Sequence, residues 1–395
     1  MTELIANWNY PTNVSVGRGR ISELPQACKR LGVSAPLLVT DPGLAALAMV
    51  SDASSACSQA GLQCAVFSAI QGNPTGENVE EGVRAFKRGG HDGVIAFGGG
   101  SALDAAKAIA LMAGQDRPLW DFEDVGDNWT RVNEAGVAPI VAIPTTAGTG
   151  SEVGRASVIT DTGMDGQSPV KKIIFHPKML PQIVILDPDL TTGLPSHITA
   201  ATGMDALSHS LEALCSPFYH PMAEGIAVEG IRLVKTYLAR AVNDGNDIEA
   251  RMQMLVASSM GATAFQKGLG GMHAIAHTLG ALYGAHHGLL NAILMPYVLQ
   301  ANRLEIEERI VRLAQYLDLG DPSFEGFMAW VLAMRSDLSI PHTLADIDID
   351  ESQAEKVGEM SAVDPSAGGN PIQYSARQYS QLFINAVRGD LKGSL

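Results

Sequence analysis

Cysteine is scarce in this chain. The four present, Cys28, Cys57, Cys64 and Cys215, are scattered and include no C-x-x-C pair, which excludes a disulfide framework or a thiolate zinc site and fits a cytoplasmic protein. Runs of lysine or arginine are also missing. With 27 basic against 42 acidic residues and a formal charge of −15, neither nucleic acid nor an anionic membrane is an expected partner, and a small molecule is. No apolar stretch reaches the roughly eighteen residues of a membrane span. Met1–Thr12 lacks the basic and apolar regions of an export leader, so no export is expected. Fixed-period repeats and low-complexity linkers are absent as well, and two directly packed halves with a cleft between them are the expected arrangement.

What is present is apolar residue in quantity, 46% over 395 residues, enough for two cores and too much chain for one. In the first half, short apolar runs at 37–40, 64–70, 94–97 and 139–143 read as strands. Amphipathic stretches at 21–31, 47–60, 78–88 and 102–112 read as helices between them. This alternation predicts a largely parallel sheet with both faces covered, a Rossmann-like α/β domain. Three further strand-like pieces between 155 and 187 should extend or flank that sheet. Beyond Asp187-Pro188-Asp189 the pattern becomes helical, at 196–215, 223–241, 248–265, 270–282, 304–317, 324–334 and 376–387. The expected domains are therefore residues 1–190 (α/β) and 191–395 (all-helical).

The helical half carries Asp205-Ala-Leu-Ser-His209, then His273-Ala-Ile-Ala-His277, then His286-His287-Gly288. Residues four apart share a helix face, so each pair can aim at one point. A carboxylate with imidazoles suits a divalent ion such as Fe²⁺ or Zn²⁺. A single such pair is commonly only a hydrogen-bonded core pair. Two pairs and a further histidine in apolar surroundings favour a metal site, and spacing alone leaves open whether His286 or His287 turns inward.

The α/β half holds a second concentration of chemistry. The strand ending at Phe97 runs into Gly98-Gly99-Gly100-Ser101, and a helix follows at once. Such a turn can cradle a pyrophosphate on helix N–H groups, or it can be a tight turn in which Ser101 caps the helix with Asp104 as reciprocal partner. It is not a G-x-G-x-x-G fingerprint. Asp41, at the end of the strand 37–40, can bond the adenosine ribose and repel a 2′-phosphate, favouring NAD over NADP, or it can serve the turn Asp41-Pro42-Gly43. Pro144-Thr145-Thr146-Ala147-Gly148-Thr149-Gly150-Ser151-Glu152 offers more donors and acceptors than a connection needs.

In this order and combination the motifs resemble the iron-dependent (group III) alcohol dehydrogenases along nearly the whole chain. The resemblance implies the two-domain architecture shared with dehydroquinate synthase and glycerol dehydrogenase. It places the metal ligands at Asp205, His209, His273 and His287, the fourteen-residue gap from His273 selecting His287 over His286. His277 matches a histidine near the nicotinamide, a candidate for passing the substrate proton. Asn73, Gly99, Gly100, Ser101, Asp104, Thr145, Thr146, Thr149 and Lys171 match cofactor-contacting positions, and Asp41 matches the position tied to NAD preference. One departure is Thr278, where the family has proline after its histidine.

The resemblance thus implies NAD and Fe²⁺, with Zn²⁺ as the alternative, and a small alcohol or aldehyde as substrate, in a homo-oligomer of dimer form. The ion would serve as a Lewis acid toward the alcohol or aldehyde oxygen while the nicotinamide exchanges hydride. A glycerol, diol or ω-hydroxy-acid dehydrogenase would satisfy the same chemistry. A lyase of the dehydroquinate synthase type would need several bases near the ligands to hold a phosphorylated, carboxylated substrate. Residues 196–215 and 268–291 contain none, and Lys267, the one nearby base, reads as facing solvent. A non-catalytic NAD-binding protein is hard to square with an intact ligand set.

Overall fold

The structure, a computed structural model, describes residues 6–8, 12–163, 169–393 and 395. Residues 1–5 and 9–11 of the Met1–Thr12 segment lie outside that range. By packing, the chain divides into two compact units, Met1–Gly193 with Asn246–Leu255, and Leu194–Gly245 with Val256–Leu395. No described helix is long and apolar enough to cross a membrane.

The first unit runs β1 (Ala6–Trp8), β2 (Asn13–Val16), α1 (Leu24–Arg30), β3 (Pro36–Val39), α2 (Pro42–Ala45), α3 (Ala48–Gln59) and β4 (Ala65–Phe67). It continues with α4 (Gly76–Arg88), β5 (Gly93–Gly98), α5 (Gly100–Met112), β6 (Ile140–Pro144), β7 (Ala156–Asp161), β8 (Val170–Phe175) and β9 (Ile183–Leu186). Six strands lie parallel in the order β4-β3-β5-β6-β9-β2, and β1 pairs antiparallel at the β2 edge. Strands β3, β5, β6 and β9 are buried along their whole length, which is why they read as unbroken apolar runs rather than alternating ones. Their register sets Leu38 beside Ile95, Ile95 beside Val141, and Val141 beside Ile183. That row packs with Leu24, Cys28, Val50 and Cys57 of α1 and α3 into one core. The chain leaves β3 for β4 on one side and returns to β5 on the other, so the carboxyl ends of β3 and β5 flank a topological switch point.

Several elements differ from their sequence expectation. The helix expected from 21 begins at Leu24, after a 3₁₀ turn, because Pro25 lacks an N–H and belongs in a first turn. The strand expected over 64–70 shortens to three residues, since β4 is an edge strand with only β3 to pair with. Of the three pieces after 155, β9 enters the sheet between β6 and β2, whereas β7 and β8 form their own antiparallel pair.

The second unit is helical. It holds α6 (Ser196–Cys215), α7 (Pro221–Asn243), the second half of α8 (Ile248–Ala264), α9 (Gly271–Tyr283) and α10 (His287–Ala301). Then come α11 (Arg303–Tyr316), α12 (Phe324–Asp337), α13 (Ala354–Val363) and α14 (Ala376–Arg388). Helix α10 escaped the periodicity reading because it is buried on almost every side, so no polar face marks its turns. It packs on α6 and α9. Its approach to α6 depends on Gly288: a Cβ there would lie 2.5 Å from the carbonyl oxygen of Ala201 and 3.1 Å from Cβ of Asp205. Backbone meets backbone at that point, and only a residue without a side chain fits. Gly288→Ala should therefore cost about 1–3 kcal/mol through overpacking, read as a lowered denaturation midpoint of the chelated protein. An unchanged midpoint would show that α10 can move off α6 cheaply.

Candidate functional site

Helix α6 places Asp205, His209 and Glu212 on one stripe, all buried. Helix α9 adds His273, buried, and His277 one turn later. His287 opens α10, and Gly288 lets it stand against α6. One ligand atom from each of Asp205, His209, His273 and His287 lies within 4.8 Å of all the others. From Asp205 Oδ1 the distances are 4.0 Å to His209 Nε2, 4.0 Å to His273 Nε2 and 3.7 Å to His287 Nε2. A tetrahedral ion with bonds of about 2.1 Å needs ligand atoms roughly 3.4 Å apart. The distances from Asp205 exceed that by about half an ångström, and no pair in the set exceeds it by more than about 1.4 Å, so the donors fit a divalent ion in number and kind, with side-chain contraction onto the ion.

A second observation marks the same point. The Nδ2 of Asn291, one turn along α10 from His287, donates to Asp205 Oδ1 at 2.8 Å and lies 3.1 Å from Nε2 of both His273 and His287. One carboxylate oxygen and two ring nitrogens thus converge on one small volume, and among the described residues the buried Oδ1 of Asn291 has no hydrogen-bond partner. His286 does not join them. Its Nδ1 accepts from the backbone N–H of Leu289 at 3.3 Å, capping α10 from an exposed position.

His277 lies beside the cluster, its ring stacked on that of His287 with centroids 5.2 Å apart. Its Nδ1 is 3.1 Å from Oδ2 of Asp364. Burial pushes the Asp364 carboxyl up, but the charge and hydrogen bond of His277 and the N–H of Ser366 outweigh it and hold the carboxyl below its ordinary value. For His273, burial pulls the pKa down, and the hydrogen bond and charge of Glu212, with Asp205 and Asp364, turn the net shift upward. Thr278 leaves α9 unbroken, its hydroxyl donating to the Ala274 carbonyl at 3.1 Å. The expectation of a solvent-facing Lys267 is corrected. It is 3% exposed, its ammonium held by Glu224 at 2.9 Å and by the Leu214 carbonyl at 3.2 Å, because the end of α6 presents an unsatisfied carbonyl that needs a donor.

In the first unit the glycine turn joins β5 to α5. Gly98 has φ +148°, and a Cβ on it would lie 2.8 Å from Ala102 Cβ and 3.7 Å from Asp41 Oδ2. The Gly98 carbonyl accepts from Thr145 N–H at 3.0 Å. Thr146 and Thr149 border Gly99 and Gly100. Asp41, Gly99, Gly100, Thr145, Thr146 and Thr149 thus gather at the carboxyl ends of β3, β5 and β6, with Ser101 in the first turn of α5. Ser101 is not the cap: α5 starts at Gly100 from an N-cap Gly99 with no side-chain cap bond, which leaves the first N–H groups of the helix uncovered by side chains. Asp104 makes no reciprocal cap either. Its carboxylate accepts from Ser151 Oγ at 2.5 Å and Val158 N–H at 2.9 Å, and pairs with buried Lys107 at 3.3 Å. Asp41 Oδ1 caps α2 by accepting from Leu44 N–H at 3.0 Å. Asn73, at φ +56°, and Lys171 form a second group, linked through Thr160, which donates to the Pro74 carbonyl and faces Lys171 across the β7–β8 pair.

Residues 11–188 match the iron-containing alcohol dehydrogenase family, and residues 199–387 match the C-terminal part of the Fe-containing alcohol dehydrogenase family. The chain is an iron-containing alcohol dehydrogenase family member. It is 38% identical to 4-hydroxybutyrate dehydrogenase of Cupriavidus necator over 96% of this chain and 99% of that one. It is 33% identical to NAD-dependent methanol dehydrogenase of Bacillus methanolicus over 97% and 100%. Among solved structures, that of a 1,3-propanediol oxidoreductase superposes with a TM-score of 0.88 at 34% identity, covering 94% of this chain and 96% of that one. The chain is thereby an oxidoreductase of alcohols and aldehydes.

Three residues at this family member's site were not singled out in the sequence. Glu212 had a local signal, three residues past His209 on the same stripe, and Asn291 had one, four past His287. Asp364 had none, being 87 residues from His277. His287→Ala should strip most bound metal and activity while the fold survives, and His286→Ala should cost only a helix cap, about 1 kcal/mol. Metal analysis of both variants checks this; the reverse ranking would mean that His286 is the ligand.

Proposed function

We propose that this protein interconverts a small primary alcohol and its aldehyde with NAD, using a divalent ion, Fe²⁺ with Zn²⁺ as the alternative, held by Asp205, His209, His273 and His287. The convergence of those four donors within 4.8 Å carries the proposal. The substrates in the names of the relatives, 4-hydroxybutyrate, methanol and 1,3-propanediol, each carry a hydroxyl on a carbon bonded to no more than one other carbon, which supports a small primary alcohol. Lys267, engaged by Glu224, offers no free ammonium for a substrate carboxylate.

When bound, the ion supplies Lewis acidity toward the substrate oxygen. The remaining work belongs to side chains. Asp364 accepts the proton side of His277 Nδ1, which leaves Nε2 as the atom that gives or takes a proton. The uncapped N–H groups at the start of α5 suit a pyrophosphate, and Gly98, Gly99 and Gly100 keep side chains away from it. Thr145, Thr146, Thr149, Ser101, Asn73 and Lys171 add hydroxyl, amide and ammonium groups for the rest of the dinucleotide, and Asp104 braces the loop that carries the threonines.

The test is turnover by chelated protein reloaded with Fe²⁺ or Zn²⁺, followed as nicotinamide absorbance with short primary alcohols and their aldehydes. Activity should vanish on chelation and return with the ion. Full activity of the chelated protein would sink the proposal. For the cofactor, Asp41→Gly should raise kcat/KM for NADP relative to NAD by about tenfold, roughly 1.4 kcal/mol, because a carboxylate beside the ribose opposes a 2′-phosphate. Glycine costs an N-cap only a few tenths of a kcal/mol, so α2 should survive. An unchanged ratio would leave Asp41 with the cap alone.

A further inference from the structure

Glu212 stands seven residues beyond Asp205 on the buried stripe of α6, and its carboxylate is 7% exposed. It makes three short bonds. Oε1 accepts from the N–H of Met272 at 2.7 Å, and Oε2 accepts from the N–H of Gly270 and from Nδ1 of His273, both at 2.7 Å. Two of these satisfy the first N–H groups of α9, which has no side-chain cap of its own. The third has a different consequence. An ionised carboxylate only accepts, so Nδ1 of His273 must carry the hydrogen, and in the neutral ring the lone pair is then on Nε2. Nε2 faces the donor cluster, 4.0 Å from Asp205 Oδ1 and 3.1 Å from the Asn291 amide nitrogen.

We propose that Glu212 is a positioning residue of the metal centre, fixing through the Glu212–His273 hydrogen bond the tautomer and ring orientation in which Nε2 of His273 can hold a divalent ion. The same carboxylate ties α9 to α6, so the helix that brings Asp205 and His209 also sets the angle at which His273 meets them. A carboxylate behind a ligating imidazole raises the basicity of the ring, and loss of such a partner weakens metal binding about 10–100-fold. The proposal rests on the reading that Asp205, His209, His273 and His287 are the ligands.

The test measures Zn²⁺ and Co²⁺ affinity of the chelated full chain by competition with a chromophoric chelator, with the visible spectrum of the Co²⁺ form as a second readout. Four proteins are compared: the natural chain, Glu212→Gln, His273→Gln and the double variant. Glu212→Gln should bind about tenfold or more weakly and shift the Co²⁺ bands, and in the His273→Gln background the same change should cost nothing further. Affinity within twofold of the natural chain, or an equal loss in both backgrounds, would overturn the proposal and leave Glu212 as a cap of α9. Failure of the natural chain to take up one ion would overturn the four-ligand reading, and this proposal with it, so the two failures are distinct. Should Glu212→Gln not fold, ¹⁵N NMR of imidazole-labelled natural protein decides: His273 protonated on Nδ1 is expected, and protonation on Nε2 overturns the assignment.

Discussion

A polar group taken out of water must find a partner, and the second unit is arranged around that requirement. Helix α6 buries Asp205, His209 and Glu212 among Met204, Ala206, Leu207 and Leu211, where an uncompensated carboxylate costs several kcal/mol. The partners come from other helices. Glu212 takes the N-terminus of α9 and the His273 ring, Asp205 takes the Asn291 amide from α10, and Asp364, just past α13, takes the His277 ring. Each of these bonds crosses between elements far apart in the chain, so the cluster that could hold an ion is also what aligns α6, α9 and α10. Candidate metal site and helix packing are one piece of physics here.

The first unit meets a related demand with a different solution. A parallel sheet buried on both faces has no room for polar chemistry along its strands, so function is confined to their ends. At those ends the chain spends residues without side chains, which bring backbone N–H groups into reach, and residues with hydroxyls. The loop after β6 is held by a buried knot: Asp104 and Lys107, one turn apart on α5, bind Ser151, Val158 and the carbonyl of Ala156. Burial lowers the Lys107 pKa, and the Asp104 and Glu152 charges oppose the shift. The threonine loop is thus anchored to α5 at its Ser151 end.

Where the sequence pattern was strong, it located elements closely. Helix α6 spans Ser196–Cys215, the range read from the sequence, where Pro195 and Pro217 mark its two ends. Helix α10 has no such end marks and carries Pro296 inside it. Its burial on nearly every face removed the contrast on which periodicity depends, although it carries His287 and Asn291. The cap at Ser101 was misplaced because serine before a helix signals capping locally, while Gly99 and Gly100 permit the helix to start earlier. The charge of Lys267 by itself points to solvent, and the partners that bury it, Glu224 and Leu214, are distant in sequence.

By itself the sequence determined the fold class, through the switch from strand–helix alternation to helical periodicity. It also determined the residue types able to bind a metal, because helix geometry places positions four apart on one face whatever surrounds them. Tertiary structure alone decided that α6, α9 and α10 converge and that Glu212, Asn291 and Asp364 complete the surroundings, whereas the choice of His287 over His286 was already implied by the family resemblance. Those outcomes depend on contacts across 61 to 87 residues. Local periodicity encodes which way a side chain points from its own helix; which other helix it meets is set by the packing of the whole unit.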